Sequence, residues 1–94
     1  MAAKPITPIR RAICDALQIA SPQMFGDRMR RSFLDEGANI ALADLAMDSL
    51  ALMEFCIALE LSTGVSLLPA QLVELVSTDE VERRIRQLAP EAAR

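Results

Sequence analysis

The chain has no histidine, no tryptophan and no tyrosine, and it holds only three glycines, three phenylalanines and two cysteines. Without histidine there is no serine–histidine or cysteine–histidine pair to activate a nucleophile, and the commonest metal ligand is missing. Cys14 and Cys56 lie far apart with no paired motif beside either. Zinc and redox sites therefore have no framework, and both cysteines read as small buried hydrophobes of a reduced, cytoplasmic protein. Aromatic residues make up 3% of the chain against 52% hydrophobic residues overall. A core of Leu, Ile, Val, Ala and Met favours a helical bundle over a sandwich or barrel, whose strands draw on β-branched and aromatic side chains.

No apolar run approaches the roughly 20 residues that cross a bilayer. Met1 to Thr7 lacks the uninterrupted apolar segment of a secretory signal, so neither membrane insertion nor export is expected. The formal charge is −3 with no extended basic tract, and nucleic acid is not an expected partner. Arg28, Arg30 and Arg31 make one local basic cluster. It reads either as a solvated loop with one or two salt bridges or as a partner-binding patch. The 94 residues fit a single domain, with a structured core over about residues 8 to 88 and a monomeric state expected.

Thr7-Pro8 supplies a cap residue followed by proline at the first helical position, and Ile9, Ile13, Ala16, Leu17 and Ala20 recur at helical spacing. The helix they predict ends before Ser21-Pro22, because proline disfavours helix at the residue before it. From Ser21 to Met47 the pattern breaks at Pro22, Gly26, Gly37 and Asn39, while Met24, Phe25, Met29, Phe33 and Leu34 remain apolar. A structureless loop of that length is unusual in a compact domain, so it is expected to pack on the core, with a short helical turn near Asp27 to Leu34. Leu42 and Leu45 anchor its far end.

A second helix is predicted from Ser49 to about Thr63, and its apolar side chains fall into two stripes. Leu52, Phe55, Cys56 and Leu59 share a face with the spacing of a core contact. Leu50, Met53, Ile57 and Leu61 lie on nearly the opposite face, flanked by Glu54 and Glu60. The second stripe is either a docking surface or a face covered by the long loop. Gly64 closes the helix as a C-terminal cap. Pro69 opens a short helix carrying Leu72, Val73, Leu75 and Val76, which holds only by packing. Ser77 with Glu80 forms a capping box for a last helix whose face is Val81, Ile85 and Leu88, and Pro90 ends it.

Asp48-Ser49 stands at the start of the two-striped helix. Aspartate and serine are ordinary N-cap residues, so the pair alone reads as a cap. A phosphate on the serine hydroxyl would also meet the positive end of the helix dipole.

Over Leu45 to Pro69 the chain resembles the acyl carrier protein family. The family's Asp-Ser-Leu attachment motif, with a leucine in the loop before it, is matched by Leu45 and Asp48-Ser49-Leu50. A glutamate five residues after the serine, a glycine closing the helix and an apolar-proline pair before the next helix are matched by Glu54, Gly64 and Leu68-Pro69. The resemblance implies an all-α four-helix bundle with a long loop between helices 1 and 2 and a short helix 3.

It also implies that Ser49 is modified by a phosphopantetheinyl transferase, which joins the 4′-phosphopantetheine of coenzyme A to the serine oxygen. Acyl groups of fatty-acid or lipid biosynthesis are then carried as thioesters between acyl-loading and acyl-transferring enzymes. By the same resemblance Asp48 is the flanking acid that helps position the modifying enzyme, while Leu50, Met53, Glu54 and Ile57 form the partner-docking surface. The resemblance makes the chain a carrier, with no catalytic residues and no metal expected.

Departures from the family pattern narrow this expectation. Ala51, Leu61 and Ser62 stand where acids are common, Ala46 where glycine often precedes the motif, and Arg83, Arg84 and Arg86 make the last helix partly basic. They favour a specialised carrier with dedicated partners. The alternatives are a carrier of aminoacyl, peptidyl or polyketide units and, from a different class, an unmodified helical interaction module.

Overall fold

The computed structural model describes residues 6–88, which form five α-helices and one 3₁₀ turn in the order α1 (Pro8–Ala20), α2 (Asp27–Asp35), the 3₁₀ turn (Leu42–Leu45), α3 (Ser49–Thr63), α4 (Pro69–Leu75) and α5 (Thr78–Leu88). Among the described residues there is no strand, and the one β contact is an isolated antiparallel bridge between Ala41 and Ser77. The expected helix from Pro8 ends at Ala20, and the expected helix from Ser49 runs to Thr63. The expected closure at Pro90 lies outside the described residues.

Five helices replace the four expected because the segment from Asp27 forms nine residues of helix, not a single turn. Gly26, in extended backbone, precedes it, and Phe33 and Leu34 supply its buried face. Phe25 and Phe33 meet edge to face with ring centroids 6.1 Å apart, an arrangement that fixes the helix against the core. Met24 stays exposed, so the long connection packs only part of its apolar content.

Helix α1 is the hub: it packs most extensively on α3 and also meets α2 and α5, while α4 bridges α3 and α5. Ile9, Ile13, Ala16, Leu17 and Ala20 are all buried, as their spacing predicts, and join Leu45, Phe55, Leu59, Leu72, Val81 and Ile85 in one core cluster. Leu88 lies beyond it, more than half exposed. Gly64 has φ 77 and its amide donates to the Glu60 carbonyl at 2.8 Å, the left-handed C-terminal closure that favours glycine.

A polar clamp sits at the N-terminal end of α1. Arg10 is 1% exposed, and its Nη2 donates to the carbonyls of Phe33 at 2.9 Å and Ala38 at 2.8 Å. Its Nη1 reaches Glu82 at 3.3 Å and Asp79 at 3.4 Å, and its guanidinium lies 3.8 Å from the centroid of the Phe33 ring. Glu82 accepts in turn from Arg86 at 2.7 Å and from the Thr7 hydroxyl at 3.2 Å. The two carbonyl bonds are the shortest made by Arg10, and they tie the end of α2 and the chain beyond it to α1.

The start of α5 is secured from the same side. The Asp79 amide donates to the Asn39 side-chain carbonyl at 2.9 Å, and the Thr78 hydroxyl accepts from the Ile40 amide at 3.0 Å. Ser77, expected to act through a capping box with Glu80, instead pairs with Ala41 in the bridge. Cys14 and Cys56 are free and buried. Burial pushes both thiols up, the effect on Cys14 being partly countered by the nearby Arg30 guanidinium.

Candidate functional site

Ser49 is the first residue of the 15-residue α3, and it is exposed. Asp48, in extended backbone with φ −81 and ψ −176, is its N-cap: the carboxylate accepts from the Ala51 amide at 2.8 Å. The first intrahelical bond runs from the Leu52 amide to the Asp48 carbonyl at 2.9 Å. The amides of Ser49 and Leu50 precede that bond, so the helix presents donors beside the serine hydroxyl. Asp48 therefore acts as a cap, and its carboxylate remains on the surface next to Ser49.

The chain reaches Ser49 through a tight corner. Leu42 and Leu45 are buried as predicted, and the 3₁₀ turn ends at Ala46, whose φ of 50 and ψ of 40 are left-handed. That is a conformation in which glycine is at ease and alanine is not. The Ser21 hydroxyl donates to the Leu45 carbonyl at 3.0 Å and pins this corner to the C-terminal end of α1.

The two stripes of α3 separate cleanly. Phe55, Cys56 and Leu59 are buried, and Leu52 is partly buried against them. Leu50 is 65% exposed, Leu61 84%, and Met53 and Ile57 each just over half. Among the described residues no loop covers the outer stripe. Glu54 and Glu60 stand exposed on its flanks, and Glu54 also shares a groove of about 430 Å³ with Leu50, Met24 and Pro22.

Sequence reasoning missed an apolar cleft of about 370 Å³, lined by Leu42, Ala43, Ala46 and Met47 on one side, Leu72, Val73 and Val76 on the other, and Leu52 of α3. Ala46 and Met47 lie three and two positions before Ser49, so one wall of the cleft leads along the chain to the serine. Its walls come from three separate elements, and no local spacing could have announced it. Val76 was expected within the short helix; it lies just past the end of α4 with φ 66 and ψ −43.

The clamp at Arg10 was also missed, although a signal existed. Arg10 stands three residues before Ile13 and seven before Leu17, on the buried side of α1. The other arginine cluster lies on α2, with Arg28 and Arg31 exposed and Arg30 partly buried. The ion pairs between described residues join Arg10 and Arg86 to Asp79 and Glu82, and the α2 arginines take no part in them. Among the described residues no group of three acidic or cysteine side chains is arranged to hold a metal ion, and no helix is long and apolar enough to cross a membrane.

Compared with known proteins, the chain matches no family model, no curated protein and no solved structure. Its function must be argued from the site.

Proposed function

We propose that this chain is an acyl carrier protein, active after a 4′-phosphopantetheine arm is joined to Ser49. The observation that carries the reading is the combination at α3: an exposed serine opens a helix whose outward stripe is apolar and exposed. A serine that merely begins a helix already capped by Asp48 has no need of such a face beside it.

The residues present fit the group. Ser49 leaves its hydroxyl open to a modifying enzyme, and the first-turn amides of Ser49 and Leu50 favour a phosphodiester at that position. The serine oxygen attacks the pantetheine-side phosphorus of coenzyme A, a P–O bond of the pyrophosphate breaks, and 3′,5′-ADP leaves. The attached arm supplies a terminal thiol for thioester carriage of an acyl group. Asp48 holds the helix start and presents a carboxylate to the cationic or metal-bearing site of the transferase.

Leu50, Met53 and Ile57, with Glu54 at the edge, form the surface on which loading and transferring enzymes dock, with apolar contact at the centre and acid at the rim. Only two acids flank this stripe within the helix, which favours dedicated partners over the general fatty-acid enzymes. The apolar cleft beside Ser49 favours an acyl cargo over an aminoacyl or peptidyl one; a polyketide unit lies between these in polarity.

The second reading is an unmodified helical interaction module, favoured by the fact that the outer stripe is exposed without any modification. Mass spectrometry after incubation with coenzyme A and a broad-specificity phosphopantetheinyl transferase separates the two. The carrier reading expects one phosphopantetheine increment, lost in Ser49→Ala. No increment under conditions that modify a control carrier would leave the interaction module.

A further inference from the structure

We propose that the outward face of α2 is a docking surface for an acidic segment of a partner protein, with Arg28 and Arg31 meeting its carboxylates and the groove beside them taking one apolar side chain. The stretch from Ser32 to Glu82 contains no lysine or arginine, and the described cations all lie on α1, α2 and α5. Their surroundings differ. Arg10 and Arg86 are paired with the carboxylates of Asp79 and Glu82, and Arg30 is partly buried beside the Cys14 thiol. Arg28 and Arg31 are exposed and stand outside those ion pairs. Asp27 precedes Arg31 by four residues, the favourable order for a pair on one helix, yet that pair does not form.

These charges do not serve the helix that bears them. The dipole of α2 favours acids at its start and cations at its end. Apart from Asp27 the order is reversed: Arg28 stands in the first turn, no cation stands in the last, Asp35 is the final residue and Glu36 the C-cap. Carboxylates of a partner lying along the arginines offset that conflict. The same face has a place for an apolar anchor. A groove of about 450 Å³ runs between α2 and the segment from Ile40 to Asp44, walled by Met24, Met29 and Ile40, with Arg28 and Asp44 in its charged lining. Met24 is half-exposed, and methionine walls adapt to what enters. A Cβ placed on Gly26 would meet nothing within 4 Å, so the groove is open there. Arg28 and Ser32 also line a second depression of about 600 Å³, completed by Arg31 and Glu36. The carboxylates of Asp44 and Glu36, with the net charge of −3, oppose a uniformly anionic surface such as a bilayer or nucleic acid. A protein segment can set its acids against the two arginines and keep them from the two carboxylates.

Titration of the full chain, unmodified at Ser49, with short synthetic peptides tests the surface by nuclear magnetic resonance. One peptide sets a leucine between pairs of glutamates; the controls replace the glutamates by lysines or the leucine by serine. The glutamate–leucine peptide should shift the amides of Met24, Arg28, Met29 and Ile40 and bind more tightly than either control. Its affinity should fall at least about threefold in an Arg28→Gln, Arg31→Gln double variant, and should fall with added salt. The double variant should keep or raise the urea midpoint, because it removes cations that oppose the helix dipole. Unmoved amides at these four residues, equal binding of the lysine peptide, or unchanged affinity in the double variant would overturn the docking surface. Equal binding of the serine peptide would overturn the apolar anchor, and a lowered urea midpoint would make the arginines structural. Capture of the chain by phosphatidylglycerol vesicles, with the peptide left unbound, would overturn the protein partner in favour of a membrane. The surface stands whether or not Ser49 carries an arm, so its failure and failure of that modification are separately visible.

Discussion

The two ends of α1 use the same small vocabulary of residues in opposite ways. At the N-terminal end a charged side chain is buried and four oxygens are brought to it: two backbone carbonyls and the carboxylates of Asp79 and Glu82. At the C-terminal end Ser21 pins a corner from which Ala46 emerges in left-handed backbone, and apolar side chains of α3 are left in water. The first end pairs both terminal nitrogens of the buried guanidinium, leaving only its Nε without a partner, at the cost of ordering several segments; the second leaves apolar surface and backbone strain unrelieved. Exposed apolar surface and strain are both unfavourable for folding alone, so their concentration around Ser49 is what a site for transient partners requires. The difference separates the end of the helix held by buried polar bonds from the end that carries the proposed docking surface.

The contrast can be broken most severely at the clamp. Arg10→Met should cost about 3 kcal/mol or more, because it leaves the Phe33 and Ala38 carbonyls without their donor and takes from buried Glu82 one of three partners, Arg86 and the Thr7 hydroxyl remaining. Urea denaturation followed by circular dichroism measures it, and a loss under about 1 kcal/mol would show that the clamp is incidental.

At the other end, Asp48→Ala should cost about 1 kcal/mol through loss of the bond to the Ala51 amide, and Asp48→Asn only a few tenths, since asparagine caps as well. The same pair separates cap from charge: if the acid also positions the transferase, modification of Ser49 slows in both variants even though Asn keeps the helix start intact.

Between the two ends lie the buried thiols of α1 and α3. Burial raises the pKa of Cys14 and Cys56, so the folded chain keeps their protons to higher pH than the unfolded chain does. Their contribution to stability is complete below the unfolded thiol value of about 8.5, and is lost as pH rises through it toward the folded values. The urea midpoint should therefore fall between pH 7 and pH 10, and the fall should shrink in a Cys14→Ala, Cys56→Ala double variant. With no tyrosine in the chain, little else titrates in that window.

The smallest stability effect is expected on the outer stripe. Ile57→Ser, at a side chain more than half exposed, should shift unfolding by no more than about 0.5 kcal/mol, while Phe55→Ala, two residues away but buried, should cost about 3–5 kcal/mol. A large cost at Ile57 would mean that the stripe is structural, and the distinction between the faces of α3 would dissolve.

Helix starts and stops were legible because they are set locally. Thr7-Pro8, Ser21-Pro22, Asp48 and Gly64 act through bonds and steric limits within a few residues of themselves, and each boundary falls where those signals put it. The core face of α1 and both faces of α3 follow from 3.6-residue periodicity for the same reason. What escaped was non-local. Val76 looked like helix because its side chain suits one, but its carbonyl is claimed by Leu42 across the cleft. Asp27 to Asp35 looked like a turn because two glycines and a proline surround it, but Phe33 found a ring partner and a guanidinium to pack against.

By itself, then, the sequence determined an all-helical chain, the position of Ser49 at a helix mouth and the opposed stripes behind it, since each depends on spacing along one element. Only the tertiary structure decided that the second stripe would stay uncovered, which arginine would be buried, and that Ala46 and Val76 would hold strained backbone on one cleft. Those outcomes depend on which carbonyls and side chains meet from distant parts of the chain, and a buried donor or an exposed leucine acquires its meaning only from what the fold places beside it.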